Sequence, residues 1–514
     1  MANRPVEIRL ALGLALFIAA LILGSAAMLL LRAESWRLAP ADWSALRFTV
    51  LQAALSALVS ASLAIPLARA LHRRRFRGRS TLIRLLAAPF VLPVVVAVLG
   101  ILAVFGRSGP VNTALAAVGL PPLSIFGLHG VVLANVFFNL PLATRMLLHG
   151  WQAIPAERFR LAAALSMPQG AQFRHLELPM LRTQLPGILT TIFLICLASF
   201  AIALTLGGGP KASTLELAIY QALRFDFDLG RAALLALIQF ALCAGVTIAA
   251  ARLSLRQGFG AGLDRAAPLP APDGWRAPVD MAAIAAAVLF LGAPLLAVIA
   301  QGLPGLTHLP QGLWQAALRS LAVALVSALL ATVAALTLAQ AAARCPTLWI
   351  DLAAMLPLSA SGLVLGTGLF LMLHRFVPPA QLALPVTILV NATLTLPYLY
   401  RLLLPEARQV VADYDRLTQS LGLPAISALR FVTLPRLARP LGYGAGIAAA
   451  LSMGDLGVIA LFADGNGATL PLLVQHLIGA YRMEQAAAAS LLLIGLSFGL
   501  FWMFDRIGGW NADA

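Results

Sequence analysis

Residues 10–31 read LALGLALFIAALILGSAAMLLL, a run of 22 residues without one charged side chain. A helix needs about 20 apolar residues to cross the hydrocarbon core of a bilayer. The run also exceeds the roughly 7–15 apolar residues of a secretory signal peptide, although the preceding MANRPVEIR resembles the charged start of one. We therefore predict a retained membrane-spanning helix here.

The rest of the chain has the same character. Of its 514 residues, 61% are hydrophobic and only 11% are charged, and the mean hydropathy is +0.90. Soluble domains carry about 25% charged residues. These values predict an all-α polytopic membrane protein whose solvent is the lipid bilayer. Apolar runs of suitable length predict twelve transmembrane helices, at 10–31, 48–68, 85–106, 126–147, 186–207, 230–251, 279–303, 317–343, 350–373, 383–404, 440–462 and 486–504.

The positive charge of the chain is explained by membrane topology rather than by a polyanionic binding partner. The net charge is +16, yet nearly all basic residues are arginines between apolar runs, and Lys211 is the only lysine. With the N-terminus inside, most of them face the cytoplasm, as positive-inside topology requires. We expect a bacterial inner-membrane protein with both termini cytoplasmic and no nucleic-acid partner. The cluster HRRRFRGR (His72–Arg79) is expected to anchor an inner loop against anionic lipid.

Signatures of catalysis and metal binding are missing from the sequence. The three cysteines, Cys196, Cys243 and Cys345, are far apart and predict neither a disulfide framework nor a zinc site. GGGPKAST resembles a phosphate-binding loop, but Pro210 separates the glycines from Lys211. No H-E-x-x-H or G-x-S-x-G occurs. We expect a transporter subunit, not an enzyme, with no cofactor or metal of its own.

An internal repeat organises the chain. LANVFFNLPLATR (Leu133–Arg145) aligns with LVNATLTLPYLYR (Leu389–Arg401) at an offset of 256 residues, and ALVSA recurs at 57–61 and 324–328. An even number of spans per copy gives two parallel six-helix repeats related by an axis along the membrane normal. The predicted units are a peripheral first span and outer loop (1–46), a first transmembrane domain (47–252), a cytoplasmic linker (253–277), a peripheral seventh span (278–316), a second transmembrane domain (317–506) and a cytoplasmic tail (507–514).

The longest inner loop follows the fourth span of each repeat. In the first copy, Ile154–Arg182 reads IPAERFRLAAALSMPQGAQFRHLELPMLR. It predicts a short amphipathic helix at Glu157–Leu165, a break at Ser166–Gly170 and a rigid re-entry into the membrane at Leu178-Pro179. An ordinary interfacial loop is the alternative, although the spacing is duplicated.

These loops resemble the inner-loop motif of binding-protein-dependent ABC importer permeases: E-A-A, three residues, G, nine residues, I, one residue, L-P. This chain departs from it in placing Arg160 and Arg416 at the glutamate and Ser166 at the first glycine. The resemblance implies that the short helices dock on a homodimeric ATPase subunit, which binds ATP and Mg. The implied coupling residues are Glu157, Arg160, Ser166, Leu176, Leu178, Pro179, Arg416, Gly422, Val432, Leu434 and Pro435.

Longer stretches resemble the fused permeases of bacterial thiamine importers. They include LARALHRRRFRGR, ANVFFNLPLATR, LGGGPKASTLELAIYQAL, RAALLALIQ and SMGDLGVIALF. The resemblance implies transport of thiamine and its phosphates, delivered by a periplasmic thiamine-binding protein. The fused permeases of ferric-iron importers are the alternative family. A secondary transporter is a third reading, disfavoured because ionisable residues within the spans are nearly absent apart from Asp455.

The translocation path is expected to be asymmetric. Asp455 lies inside an apolar run, where a carboxylate indicates either a functional site facing the central cavity or a packing contact with backbone or Ser452. The first repeat has Ser199 and Phe200 at the comparable place. Two outer segments, 206–229 and 463–484, are candidate docking surfaces for the binding protein or ordinary solvated loops; their polar residues are Glu216, Tyr220, Asp226, Asp228, Asp464, Asn466 and Tyr481.

Overall fold

The computed structural model describes residues 4–33, 36–86, 91–209, 212–253, 276–345, 347–463 and 467–510, and every regular element in them is helical. Most of the expected linker (253–277), part of the expected tail, Pro210, Lys211, Asp464 and Asn466 lie outside the described residues. The prediction of an all-α membrane protein is confirmed: eleven described helices are long and apolar enough to span a bilayer, or twelve if one bent pair is a single span.

The described residues of the first repeat form twelve α-helices and one π-helical turn. They are α1 (Arg4–Arg32), α2 (Pro40–Arg73), α3 (Arg79–Leu85), α4 (Val94–Phe105), α5 (Pro110–Ala117), α6 (Leu128–Gln152), α7 (Ala156–Ala164), α8 (Gln169–Gln172), the π turn Phe173–Glu177, α9 (Leu178–Leu197), α10 (Phe200–Leu206), α11 (Leu215–Arg224) and α12 (Leu229–Leu253).

The second repeat follows the same order. Its elements are α13 (Arg276–Gly305), α14 (Leu313–Arg344), α15 (Leu348–Met355), the 3₁₀ turn Leu356–Ser359, α16 (Gly362–Leu373), α17 (Pro379–Ser420), α18 (Ala425–Ala428), the π turn Leu429–Thr433, α19 (Leu434–Met453), α20 (Gly457–Phe462), α21 (Leu470–Gly479) and α22 (Met483–Trp510). The bent pair is α15 with its 3₁₀ turn and α16, which meet at 95°.

Four of the predicted spans differ from the described structure, and the first is 350–373, which contains the 95° bend between α15 and α16. The helix of the fifth span is interrupted in each repeat, between α9 and α10 and between α19 and α20, although Ala425–Phe462 of the second repeat still counts as one span. The fourth span of the second repeat does not end at residue 404: α17 continues through Pro405 to Ser420. A proline inside a helix removes one hydrogen bond but need not end the helix when its neighbours pack well.

The two repeats are interlocked by an exchange of their first spans. Helix α1 of the first repeat packs against α14, α15 and α16 of the second, and α13 packs against α2 and α4 of the first. Within each repeat the second, fourth and fifth spans pack together, as α2 with α6 and α9 and as α14 with α17 and α19. The repeats also meet beside the interrupted fifth span of the second repeat, where a Cβ added to Gly454 would lie 3.1 Å from Pro93 Cα of the first repeat.

Candidate functional site

Both inner loops begin with the same helix-ending turn. After α7, the N–H of Ser166 donates to the Ala163 carbonyl (3.0 Å) and that of Met167 to Ala162 (2.9 Å). After α17, Gly422 donates to Gln419 (3.1 Å) and Leu423 to Thr418 (3.0 Å). This is the Schellman pattern, which requires a left-handed residue. The residues that take it are Ser166 and Gly422, at φ +48° and +60°.

The remainder of each loop also repeats at the offset of 256. Pro168 and Pro424 are extended and precede the one-turn helices α8 and α18. A π turn follows in each copy, closed by N–H bonds from Leu178 to the Phe173 carbonyl and from Leu434 to Leu429. The Leu-Pro pairs then start α9 and α19, because proline is tolerated in the first turn of a helix. The motif spacing thus corresponds to one backbone path used twice.

Most of the predicted coupling residues face outward from this path. The exposed ones are Glu157, Arg160, Ser166, Pro179, Arg416, Gly422, Leu434 and Pro435, while Leu176, Leu178 and Val432 are partly buried. In the first loop the chain turns after Ala164, as expected, but the next helix begins at Gln169 and continues through the π turn, ahead of the Leu178-Pro179 pair where the re-entry was expected. In the second repeat the short helix is the end of α17, not a separate element, so a single helix joins the fourth span to the loop.

Sequence reasoning missed a pair of leucines in each loop. Leu161 of α7 and Leu165, the residue that caps the end of this helix, are 61% and 64% exposed. Their repeat equivalents near the end of α17, Leu417 and Leu421, are 50% and 64% exposed. Exposed leucines therefore recur at matching positions of the two copies. Helical spacing within the loop could have revealed them, since they recur at i and i+4.

The two loops differ in how they attach to the membrane helices. In the first, the buried carboxylate of Glu177 accepts from Arg69 Nε (2.7 Å) and from an Arg73 guanidinium nitrogen (2.7 Å) on α2. Thr433 takes the place of Glu177 in the second loop and lines a small cavity with Gln340 of α14. Two ion pairs, called the charge clamp below, therefore hold the first loop to α2, whereas the second loop lacks the equivalent carboxylate.

Several arginines of the basic cluster at 72–79 contact other residues of the protein, which was not predicted. Besides Arg73, its Arg74 pairs with Asp280 of α13 at 2.9 Å, which joins the inner ends of the two repeats. Arg79 donates to the Leu71 carbonyl at 2.7 Å. Arg75 and Arg77 are exposed and remain available for the predicted contact with lipid headgroups. The cluster thus also makes contacts with residues far away in sequence, and its expected role against lipid stays a prediction.

Side-chain amides complete the broken helix of the first repeat. The Cys196 carbonyl at the end of α9 accepts from Gln52 Nε2 (2.7 Å), and the Leu197 carbonyl accepts from Gln239 Nε2 (3.0 Å). The repeated asparagine Asn135 donates to Gln52 Oε1 (2.8 Å). Within a bilayer, carbonyls released from a helix need such partners. These contacts indicate that the break is a built feature of the fold.

The predicted path residues lie at these breaks. Ser199 and Asp455 occupy equivalent positions between the two halves of the fifth spans. The Asp455 carboxyl interacts with the N–H groups at the start of α20 and with the Asn391 side chain. Phe200 lies close by: a Cβ added to Gly457 would be 3.8 Å from both Phe200 Cδ1 and Asp455 Oδ1. The structure therefore brings Phe200 and Asp455 together across the repeats.

The outer segments only partly match their expected role. Asp226, Asp228 and Tyr481 are exposed, as a docking surface requires. Glu216 is not part of such a surface, because it is 2% exposed within α11. Tyr220, one turn later on the same helix, is partly buried. The apolar spacing around Glu216 could have indicated a buried face.

Within the described residues, no group of three or more His, Cys, Asp or Glu side chains could hold a metal ion. The three cysteines are free, and Cys196 and Cys243 are buried. The part of the chain described here thus offers no metal-ligand cluster.

Comparison with known proteins covers almost the entire chain. It is 42% identical over 489 residues to the thiamine transport system permease protein ThiP of Escherichia coli K12, which spans 91% of this chain and 90% of the relative. The protein of the same name from Brucella abortus strain 2308 is 37% identical over 92% of this chain and 89% of its own. That from Haemophilus influenzae is 34% identical over 88% and 86%. No protein-family model matches the chain.

Proposed function

This chain belongs to the family of thiamine transport system permease proteins, and from that membership we propose that it is the permease subunit of an ABC importer for thiamine and its phosphates. The observation that carries the proposal is the identity of 42% over 91% of the chain. Two interlocked helical repeats with interrupted fifth spans are consistent with a substrate path at their interface.

The inner loops are the proposed contact with a homodimeric ATPase, which would bind ATP and Mg. Their backbones repeat residue by residue through the turn, the one-turn helix and the π turn. Two like surfaces on one chain suit a symmetric dimer. The exposed leucines of α7 and α17 provide apolar contact, and Arg160 and Arg416 lie beside them. ATP-driven closure of the dimer would move both loops and rock the repeats.

On the opposite side we place the periplasmic thiamine-binding protein. The exposed side chains there include Asp226, Asp228 and Tyr481. This arrangement assumes that the chain lies in the bacterial inner membrane with both termini in the cytoplasm, as its distribution of arginine favours.

Reconstitution tests this function directly. The permease is placed in proteoliposomes with its ATPase subunit and binding protein, and labelled thiamine uptake is followed with and without ATP. We expect uptake only when ATP, the ATPase and the binding protein are all present. Uptake that persists without the ATPase would indicate a secondary transporter. ATP-dependent uptake of ferric iron without uptake of thiamine would indicate the alternative importer family.

A further inference from the structure

Two carboxylates from different repeats meet near the broken fifth spans. Glu216 lies on α11 of the first repeat and is 2% exposed. Asp455 lies just before α20 of the second repeat, and α20 packs against α11. The two carboxyl groups are consequently close enough to interact electrostatically. Two acids that share a site of low dielectric repel each other. Their pairing consequently needs an explanation beyond packing.

Each carboxyl group is only partly satisfied. Glu216 interacts with the Ser361 hydroxyl and with the Phe200 backbone N–H, and Asp455 interacts with the start of α20 and with Asn391. Among the residues that the structure describes, Glu216 Oε2 and Asp455 Oδ2 are shielded from solvent and have no hydrogen-bond partner. Neither acid forms an ion pair in the same part of the chain. A buried acceptor without a partner is costly, so natural proteins seldom keep one without a use.

Aromatic rings border the two acids. The Phe200 ring packs edge-on against that of Tyr220, with 5.2 Å between centroids. Tyr220 is one turn after Glu216 on α11. The face of an aromatic ring attracts cations, and this attraction grows when water is excluded. Carboxyl groups and aromatic faces at one place favour a ligand that is itself a cation with an apolar body.

We propose that Glu216 and Asp455, with the rings of Phe200 and Tyr220, form a transient site for an organic cation on the transport path. This inference rests on the proposed function and deepens it, because the thiazolium ring of thiamine carries a fixed positive charge. The acids come from different repeats, so movement of the repeats changes the distance between them. Such movement would weaken the site and release the cation.

A structural role for the acids makes a different prediction. Asp455 faces the first N–H groups of α20, and a carboxylate there stabilises the helix start by itself. If this were its whole purpose, removing the charge would lower stability and every activity together. If the acids bind a cation, removing their charge should instead lower the amount of thiamine transported per ATP hydrolysed.

The test uses Glu216→Gln, Asp455→Asn and the double variant in proteoliposomes that hold the complete importer. Labelled thiamine uptake and ATP hydrolysis are measured in the same sample, with melting temperature as the check on folding. We expect the thiamine moved per ATP to fall about tenfold in the double variant, since a lost charge contact of this kind changes an equilibrium by that order. Glu216→Asp retains the charge and should keep most of the transport. Asp505→Asn, at an exposed acid of α22, is the control and should stay within roughly twofold of the unmodified protein.

A ratio of thiamine to ATP that stays within roughly twofold in the double variant would overturn the cation site. It would also be overturned if Glu216→Asp lost transport as completely as Glu216→Gln and melted equally early, because packing would then explain both. Absence of thiamine uptake by the unmodified importer would instead overturn the proposed function, and this inference with it. Normal uptake by the unmodified importer with insensitive variants removes the cation site alone.

Discussion

Ser25 of α1 occupies the space that a side chain on Gly368 of α16 would need: a Cβ built on Gly368 would lie 2.5 Å from the Ser25 Cβ. The other repeat shows the same relationship, since a Cβ on Gly100 of α4 would lie 2.5 Å from the Pro294 carbonyl oxygen on α13. At both crossings the first span of one repeat meets the third span of the other. Glycine permits this close approach between membrane helices.

Substituting Gly368→Ala should push α1 away from α16 and lower the free energy of unfolding by about 1–3 kcal/mol, the usual cost of overpacking. Thermal unfolding of the detergent-solubilised protein measures the loss. Gly24→Ala is the matched control, because it lies beside Ser25 and an added Cβ there meets nothing within 4 Å. Equal melting temperatures for the two variants would contradict the proposed crossing.

The paired helix-ending turns should respond to substitution in opposite directions. Gly422→Ala places a Cβ on a residue with φ +60° and should cost about 1 kcal/mol, whereas Ser166→Gly at φ +48° should gain a similar amount. Nothing lies within 4 Å of a Cβ on Gly422, so backbone strain alone decides whether Gly422→Ala stabilises or destabilises the protein. Hydrogen exchange at the ends of α7 and α17 reports both changes. The same sign for both variants would argue against the shared turn.

A bulky side chain at Gly422 tests contact with the partner. Gly422→Trp has free space around it within this chain, so membrane insertion should be intact. Import should nevertheless be abolished, because the side chain would stand between the loop and the ATPase. Uptake in cells and the amount of protein in the membrane are measured together, with Gly422→Ala as the control for backbone strain. Undiminished import by Gly422→Trp would count against docking at this loop.

The charge clamp should make the first loop depend on one carboxylate. Glu177→Gln leaves the guanidinium groups of Arg69 and Arg73 without their acid and should destabilise the region by about 3 kcal/mol, as breaking a buried pair does. Proteolysis and hydrogen exchange of the first loop should increase, while the second loop is unaffected. Glu157→Gln removes an exposed acid of the same loop and serves as the control. Similar protection of the first loop from proteolysis and hydrogen exchange in both variants would contradict the role of the charge clamp.

The exposed leucines should contribute directly to assembly. Replacing Leu161 and Leu165 by alanine removes apolar contact worth about 1–2 kcal/mol for each side chain, so affinity for the ATPase should fall at least tenfold. The pair Leu417 and Leu421 should have a comparable effect. Binding of purified ATPase to permease in nanodiscs provides the measurement, with Leu120→Ala, an exposed outer leucine, as control. Unchanged affinity in both double variants would exclude these surfaces.

The sequence alone indicated much of the fold because a bilayer imposes simple rules. An apolar run such as 10–31 has to become a helix, since lipid offers no partner for backbone groups. The offset of 256 residues located both inner loops, and proline and glycine positions indicated where their helices stop. Local chemistry sufficed for these predictions because turns and helix ends are decided by nearby residues.

Contacts between distant residues were decided only by the tertiary structure. The exchange of α1 and α13, the Glu177 clamp and the burial of Glu216 join segments tens to hundreds of residues apart, and the repeat offset carries no information about them. The break in the fifth span was equally hidden, because its free carbonyls are satisfied by Gln52 and Gln239 from other helices. Periodicity along a chain records which residues prefer lipid or water, whereas partners across helices depend on how the helices are arranged in space.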